Sequence, residues 1–196
     1  MLGHRIPREK LERKFQDPIF GKGKSLNKKR GVNFSGGKRR RKRSVYANQL
    51  IQKQKIKLMY GLREKQFYNL YLKAKSSNEV TGEFMLKLLE LRLDNVVYRL
   101  GIRKTRAAAR QFVSHGHVCV NGSKVDIPSY TLSKGDLVSV KLKSKHFVCS
   151  NEGDTSLYEW LEWDPKNCKG KVASIPSRSQ IDENIDENSV ISFYSR

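Results

Sequence analysis

The sequence predicts an α+β protein: an N-terminal, mostly helical domain with a basic extension, followed by a small helix-helix-hairpin module. Three observations lead there. Apolar residues recur at helical spacing between Ser44 and Leu89. From Val118 the pattern changes to alternation, punctuated by Asn121-Gly122, the strongest short hairpin signal. The charge is also unevenly spread: residues 1–60 carry 19 basic and 3 acidic side chains, whereas residues 150–196 carry 5 and 9. These shifts divide the chain into a basic extension (1–44), a helical domain (45–91) and the module (92–150). Segment 151–196 is expected to complete the helical domain.

The elements follow in order. In the extension, residues 21–44 run Gly21-Lys-Gly-Lys, Lys28-Lys29-Arg30, Gly36-Gly37 and six consecutive bases, Lys38, Arg39, Arg40, Arg41, Lys42 and Arg43. Like charges this dense cannot pack a core alone. The glycines let backbone approach phosphates, so this arm is expected to order on nucleic acid. A first helix starts near Ser44, with Ala47, Leu50, Ile51, Leu58 and Met59 on one stripe among Lys53, Lys55 and Lys57, and stops at Tyr60-Gly61. A second carries Phe67, Leu70, Tyr71 and Ala74 and closes at Ser76-Ser77-Asn78; a third follows Thr81-Gly82 with Met85, Leu88 and Leu89. Tyr46 and Phe34 are candidates for stacking on unpaired bases, and Tyr60 is assigned to packing.

In the module, Asp94 is expected to cap a short helix bearing Val96, Val97 and Leu100, stopped by Gly101. Thr105 is expected to cap the next, Arg106 to Ser114, ending near His115-Gly116. Arg103, Lys104, Arg106 and Arg110 lie at its start and along its exposed side, where the positive helix end favours phosphate. Val118 and Val120 lead into the Asn121-Gly122 turn, Ile127-Pro128 ends the returning strand, and a further strand covers Leu137 to Leu142. Beyond it come Trp160 and Trp163, an expected strand at Lys171–Ile175, and Ile-Asp-Glu-Asn written twice at 181–188. The acidic repeat reads as a cap at the start of a last helix whose apolar residues, from Val190 to Tyr194, dock on the rest.

Composition bounds the function. The chain has 196 residues, 40 Lys plus Arg against 19 Asp plus Glu, a net charge of +21, and 37% apolar residues, enough for a modest core. Such a surplus repels itself until a polyanion neutralises it. Nucleic acid and an anionic membrane are the two candidates. The second lacks support: no run approaches the roughly 20 apolar residues of a span, and no basic helix in 1–60 has a strong apolar face. Three widely spaced cysteines, Cys119, Cys149 and Cys168, exclude a disulfide scaffold and read as reduced thiols. Met1–Phe15 has no apolar core and contains Glu9 and Glu12, so neither a signal nor a transit peptide is expected. His115-x-His117 with Cys119 falls short of a four-ligand metal site and reads as turn and RNA contact. No Ser-His-Asp set or P-loop is present, so no hydrolase is expected.

The run Arg92-Leu93-Asp94-Asn95-Val96-Val97-Tyr98-Arg99-Leu100-Gly101, with Thr105-Arg106, Ala109-Arg110-Gln111, Val113-Ser114-His115-Gly116-His117, Val120-Asn121-Gly122, Ile127-Pro128-Ser129-Tyr130 and Gly135-Asp136, resembles the RNA-binding module named after small-subunit ribosomal protein S-four. Gln49-Leu50, Lys53-Gln54-Lys55, Tyr60-Gly61, Glu64, Gln66-Phe67 and Tyr71 resemble the N-terminal domain of the bacterial and organellar S-four family, and the ending Val190-Ile191 with Phe193-Tyr194-Ser195 is similar too. The resemblance covers about residues 5–196. Two features depart from the family. The cysteine cluster with which many members bind zinc is missing, since residues 1–118 contain no cysteine. The Pro-Gly-x-His-Gly loop is replaced by Phe34-Ser35-Gly36-Gly37.

The resemblance implies a structural constituent of the small ribosomal subunit, without cofactor, metal or small-molecule substrate. It implies direct binding of small-subunit rRNA, nucleation of the subunit body, contact with ribosomal protein S-five and other small-subunit proteins, an influence on decoding accuracy, and a place near the mRNA where that strand enters its channel. The expected location is the ribosome of the bacterial cytoplasm, or an organellar ribosome; repression of its own message stays open. The expected rRNA-binding residues are Lys28, Lys29, Arg30, Lys38 to Arg43, Lys53, Lys55, Lys57, Arg103, Lys104, Arg106, Arg110, His115 and His117. The enzyme rival is a pseudouridine synthase, since many carry the module and place a catalytic Asp after Arg-Leu, as in Arg92-Leu93-Asp94. Here Asn95-Val96-Val97-Tyr98 replaces the enzymes' glycine-containing turn, and no catalytic domain follows. A stand-alone binder of structured RNA is the other alternative.

Overall fold

The computed structural model describes residues 7–15, 17, 19–20, 44–141, 158–165, 167–181 and 185–195. They form two units, one from residues 1–67 with 185–196 and one from residues 68–184.

The first unit contains α1 (Arg8–Phe15), α2 (Val45–Met59), the start of α3 (Glu64–Lys75) and α7 (Glu187–Tyr194). Ser44 caps α2 by accepting from the Ala47 N–H at 3.2 Å, and Gly61 ends the following turn at φ +63°. Asp186 caps α7 by accepting from the Ser189 N–H at 3.1 Å. The second tetrad thus supplies the acidic cap; residues 182–184 lie outside the described residues. Leu11, Ile19, Ile56, Tyr60, Leu62, Phe67, Ile185 and Val190 are buried. The extension is therefore shorter than 1–44: α1 already belongs to a packed unit, because Leu11 and Ile19 supply apolar contacts that the charge run lacks. The remainder of the arm, residues 21–43, lies outside the described residues.

Glu64 links three elements of this unit. Its carboxylate accepts from Lys53 at 2.6 Å, Lys57 at 2.9 Å and the Tyr194 hydroxyl at 2.8 Å. The Lys53 ammonium also sits 4.3 Å from the Phe193 ring centre, a cation–π contact. Burial pushes the Glu64 carboxyl up, but the hydrogen bonds from Lys53, Lys57 and Tyr194 and the Lys57 charge outweigh it and bring it from 4.5 down to about 2. A lowered acid stabilises the fold above its unfolded value and loses that contribution as pH falls through its folded value. Circular dichroism melts should show the chain losing stability between pH 4.5 and about 2. Glu64→Gln should flatten that loss and cost about 1 kcal/mol at pH 7, since Glu64 is half exposed.

The second unit holds the rest of α3, then α4 (Thr81–Glu90), α5 (Leu93–Arg99), α6 (Arg106–Ser114), β1 (Val118–Val120), β2 (Ser123–Lys124), β3 (Leu137–Val140), β4 (Leu161–Asp164), β5 (Lys169–Val172) and one 3-10 turn (Arg178–Gln180). The strands make one antiparallel sheet in the order β2-β1-β3-β5-β4. Asn121 and Gly122 both take positive φ, +50° and +82°, as the tight β1–β2 turn requires. Leu93, Val96, Val97 and Leu100 of α5, Ala109, Phe112 and Val113 of α6, and Val118, Val120, Val138, Val140, Trp160 and Val172 fill one core.

Segment 151–196 is split between the units rather than given whole to the helical one. Val138 pairs with Gly170 and Trp163 with Gly170 across the far strand, so β4 and β5 extend the module's sheet. The reason is burial: Trp160 is 1% exposed and Val172 fully buried in the module core. At Gly170 a Cβ would meet Leu100 Cδ1 at 2.6 Å, which is why a glycine passes there. From this segment α7 packs with α2, through Tyr46 on Phe193 at 5.5 Å. The expected strand at 171–175 runs instead from Lys169, and β3 ends at Val140; Leu142 lies outside the described residues.

Candidate nucleic-acid interface

The site is built on α5 and α6. The first turn of a helix has four N–H groups without partners. At α5 two of them are met by backbone: Leu93 donates to the Tyr130 carbonyl at 2.8 Å and Asp94 to the Pro128 carbonyl at 3.2 Å. Arg92 is the residue before the helix and offers no side-chain cap. The expectation that Asp94 caps this helix is thus corrected: the Pro128–Tyr130 loop does that work, and the Asp94 side chain turns elsewhere. Its carboxylate, almost fully buried, accepts from Arg92 at 3.1 and 2.9 Å and from Arg110 of α6 at 3.1 Å. A carboxylate held between two guanidiniums in the core is closed to a substrate, so the Arg92-Leu93-Asp94 likeness to a catalytic Asp goes no further than the tripeptide.

A second buried carboxylate stands four residues earlier in the chain. Glu90, 1% exposed, accepts from Arg99 Nε at 2.9 Å and Nη2 at 2.7 Å. Arg99 also donates to the Tyr158 hydroxyl and stands 4.6 Å from that ring. Glu90 accepts once more, from Asn95 Nδ2 at 2.7 Å, and Asn95 Oδ1 in turn accepts from Arg106 Nε at 2.9 Å. The Arg106 guanidinium lies 4.5 Å from the Tyr98 ring centre.

At the start of α6, Thr105 accepts from the Ala108 N–H at 3.2 Å, as its position before the helix predicts. Lys104 is exposed and Arg103 lies 4.2 Å over the Phe112 ring. His117 stacks on Phe112 at 4.9 Å, and His115 is exposed 6.1 Å from His117. Between them Gly116 turns with φ +71°, and the Lys124 side chain crosses directly over it. Among the described residues no group of three His, Cys, Asp or Glu could hold a metal ion, and Cys119 and Cys168 are free thiols. Also among the described residues, no helix is long and apolar enough to cross a membrane.

Of the sequence-derived site residues, Arg103, Lys104, Arg106, Arg110, His115 and His117 all lie on the α6 side of the second unit. Lys53 and Lys55, expected to face RNA, are 5% and 6% exposed and pair with Glu64 and Asp17 inside the first unit. Two positions apart on α2, they lie on different sides of the helix, and each buries its aliphatic stem while an acid meets the ammonium. Lys57 is half buried and shares Glu64. Tyr46 is half exposed with one face on Phe193, and Tyr60 is buried. Lys28, Lys29, Arg30, Phe34 and Lys38 to Arg43 lie outside the described residues. Sequence reasoning passed over Glu90, Asn95, Tyr98 and Lys124. For Lys124 a signal existed, since the tight Asn121-Gly122 turn folds it back opposite Cys119. Asp94→Ala should cost about 3–5 kcal/mol in urea unfolding, because Arg92 is left buried and unpaired. Arg110→Ala, at the half-exposed end of the same triad, should cost under about 1 kcal/mol.

Comparison with known proteins agrees with this architecture. Residues 4–90 match the ribosomal protein S4/S9 N-terminal domain and residues 91–138 match the S4 domain. Small ribosomal subunit protein uS4 of Amoebophilus asiaticus is 50% identical over 194 residues, covering 97% of each chain. The uS4 of Parabacteroides distasonis is 48% identical over 195 residues, again 97% of each. That of Salinibacter ruber is 48% identical over 200 residues and covers both chains completely. With both domain families matched in sequence order and near-half identity from end to end, this chain belongs to the small ribosomal subunit protein uS4 family.

Proposed function

We propose that the protein is a structural constituent of the small ribosomal subunit that binds rRNA directly and performs no catalysis. One observation carries this reading: identity of 48–50% over the whole length with proteins named for that subunit. The cation-rich α6 side supports the mode of binding. Arg103, Lys104 and Arg106 gather at the start of α6, where the helix dipole adds to their charge, and Arg110 follows one turn on. Four cations on a folded scaffold suit a partner recognised by phosphate geometry and shape, as structured RNA is. His115, His117 and Lys124 extend this face towards the hairpin, and the 28–43 run adds a second set of phosphate contacts.

The proposal extends to the particle. A protein that grips an rRNA junction early nucleates the body of the subunit. Contact with ribosomal protein S-five, an influence on accuracy and a position beside mRNA rest on the family resemblance alone. So does the assignment to bacterial ribosomes in the cytoplasm, which the bacterial origin of the similar uS4 proteins supports.

Two measurements test this. The tagged chain should co-sediment with small subunits after a high-salt wash; a chain that stays at the top of the gradient overturns the ribosomal reading. Arg106→Gln with Arg110→Gln should weaken filter binding to small-subunit rRNA while the thermal melt persists. The slope of log affinity against log salt should fall by about 0.7–0.9 for each phosphate that the variant no longer neutralises. Equal affinity and slope would remove the α6 face from the interface.

A further inference from the structure

Helix α6 has cations at one end and none of its own at the other. Arg103, Lys104 and Arg106 stand at its start, where the dipole favours an anion. Its last turn contains no basic residue. The carbonyl end of a helix carries about half a negative charge, which repels a phosphate, and a cation placed there offsets it. The helix has nine residues, a length of about 13 Å, and Arg110 carries the positive face one turn along it. Phosphates that follow those cations therefore approach the repelling end.

A lysine from the hairpin occupies that end. Lys124 pairs with Cys119, so their side chains share one face of the sheet, opposite the buried Val118 and Val120. From there the Lys124 side chain reaches the turn after α6 and lies across Gly116. A Cβ at Gly116 would overlap Lys124 Cε and lie 2.7 Å from Nζ, so any side chain there would push the lysine aside. Lys124 is exposed, and among the described residues its ammonium meets no acid and makes no hydrogen bond. We propose that Lys124 and Gly116 form a phosphate subsite at the C-terminal end of α6. The lysine supplies in space the cation that the last turn lacks in sequence, and the glycine is the positioning residue that admits it. This inference rests on the reading that the α6 face binds rRNA. Two roles of the glycine separate here. Its φ of +71° would be tolerated by an asparagine, whereas the room over its backbone is left by glycine alone.

The test is a double-mutant cycle on the full chain, read by filter binding to purified small-subunit rRNA over a salt series. Wild type, Lys124→Ala, Gly116→Ala and the double variant are compared. Lys124→Ala should weaken binding about fivefold, the effect of one net hydrogen bond. It should also lower the slope of log affinity against log salt by about 0.7–0.9, the share of one phosphate. Gly116→Ala should weaken binding when Lys124 is present and change nothing in the Lys124→Ala background, where the new methyl meets no lysine. Backbone strain at φ +71° acts in both backgrounds and cancels in the comparison. Gly116→Asn, which takes positive φ more readily, replaces Gly116→Ala if that variant does not fold. A Gly116 effect that persists without Lys124, or is missing with it, overturns the positioning role. Wild-type affinity and slope for Lys124→Ala overturn the subsite, and the α6 reading stands if Arg106→Gln with Arg110→Gln still weakens binding. If that pair also binds as wild type does, the α6 reading falls too.

Discussion

Arg92, Arg99 and Arg110 can stand together because two buried carboxylates are placed among them. Glu90 and Asp94 lie four residues apart, one at the end of α4 and one in the first turn of α5. Each receives more than one guanidinium or amide donor. Without them, Arg92 and Arg99 would be bare charges in an apolar core, a cost of several kcal/mol each. A buried ion pair is no more stabilising than a well-packed apolar pair of the same volume. The stability of the module therefore comes from its core of Leu93, Val96, Val97, Phe112, Val113 and the sheet valines. What the carboxylates add is direction: they determine where each cationic head points.

The same logic governs the first unit at lower stakes. Glu64 collects two lysines and a tyrosine hydroxyl and so fastens the start of α3 to α2 and to the terminal helix α7. Its setting is half exposed, and solvent weakens each pair. Phe193 adds an apolar contact with Tyr46 and a cation–π contact with Lys53, so the terminal helix is held by packing as well as charge. Among the described residues, Glu12, Glu90 and Asp94 are the acids buried inside the fold.

Backbone, sheet and a late tyrosine all support the α6 surface. The Pro128–Tyr130 loop satisfies the first turn of α5 with backbone oxygens, which leaves the Asp94 side chain to reach Arg92 and Arg110. β4 and β5 complete the sheet behind the helices and bring Trp160 into the core. Tyr158, just before β4, meets Arg99 and so connects this late segment to the arginine cluster.

Local signals in the sequence determined the helices between Ser44 and Ser114, the Thr105 cap, the Asn121-Gly122 turn and the acidic cap of α7. Each depends on residues within a few positions of one another, and their chemistry acts at that range. Charge composition likewise narrowed the partner to a polyanion, because net charge is a sum and needs no coordinates. Tertiary structure alone decided which cations face outward. Lys53 and Lys55 read as surface lysines in a basic helix until Glu64 and Asp17 are brought against them by the fold. Asp94 reads as a cap until a loop 34 residues later takes that role. The allotment of β4 and β5 to the module was equally hidden, since strand pairing joins residues about 30 apart and alternation does not name the partner. Burial and long-range pairing are properties of the packed chain, and a linear pattern carries only their local half.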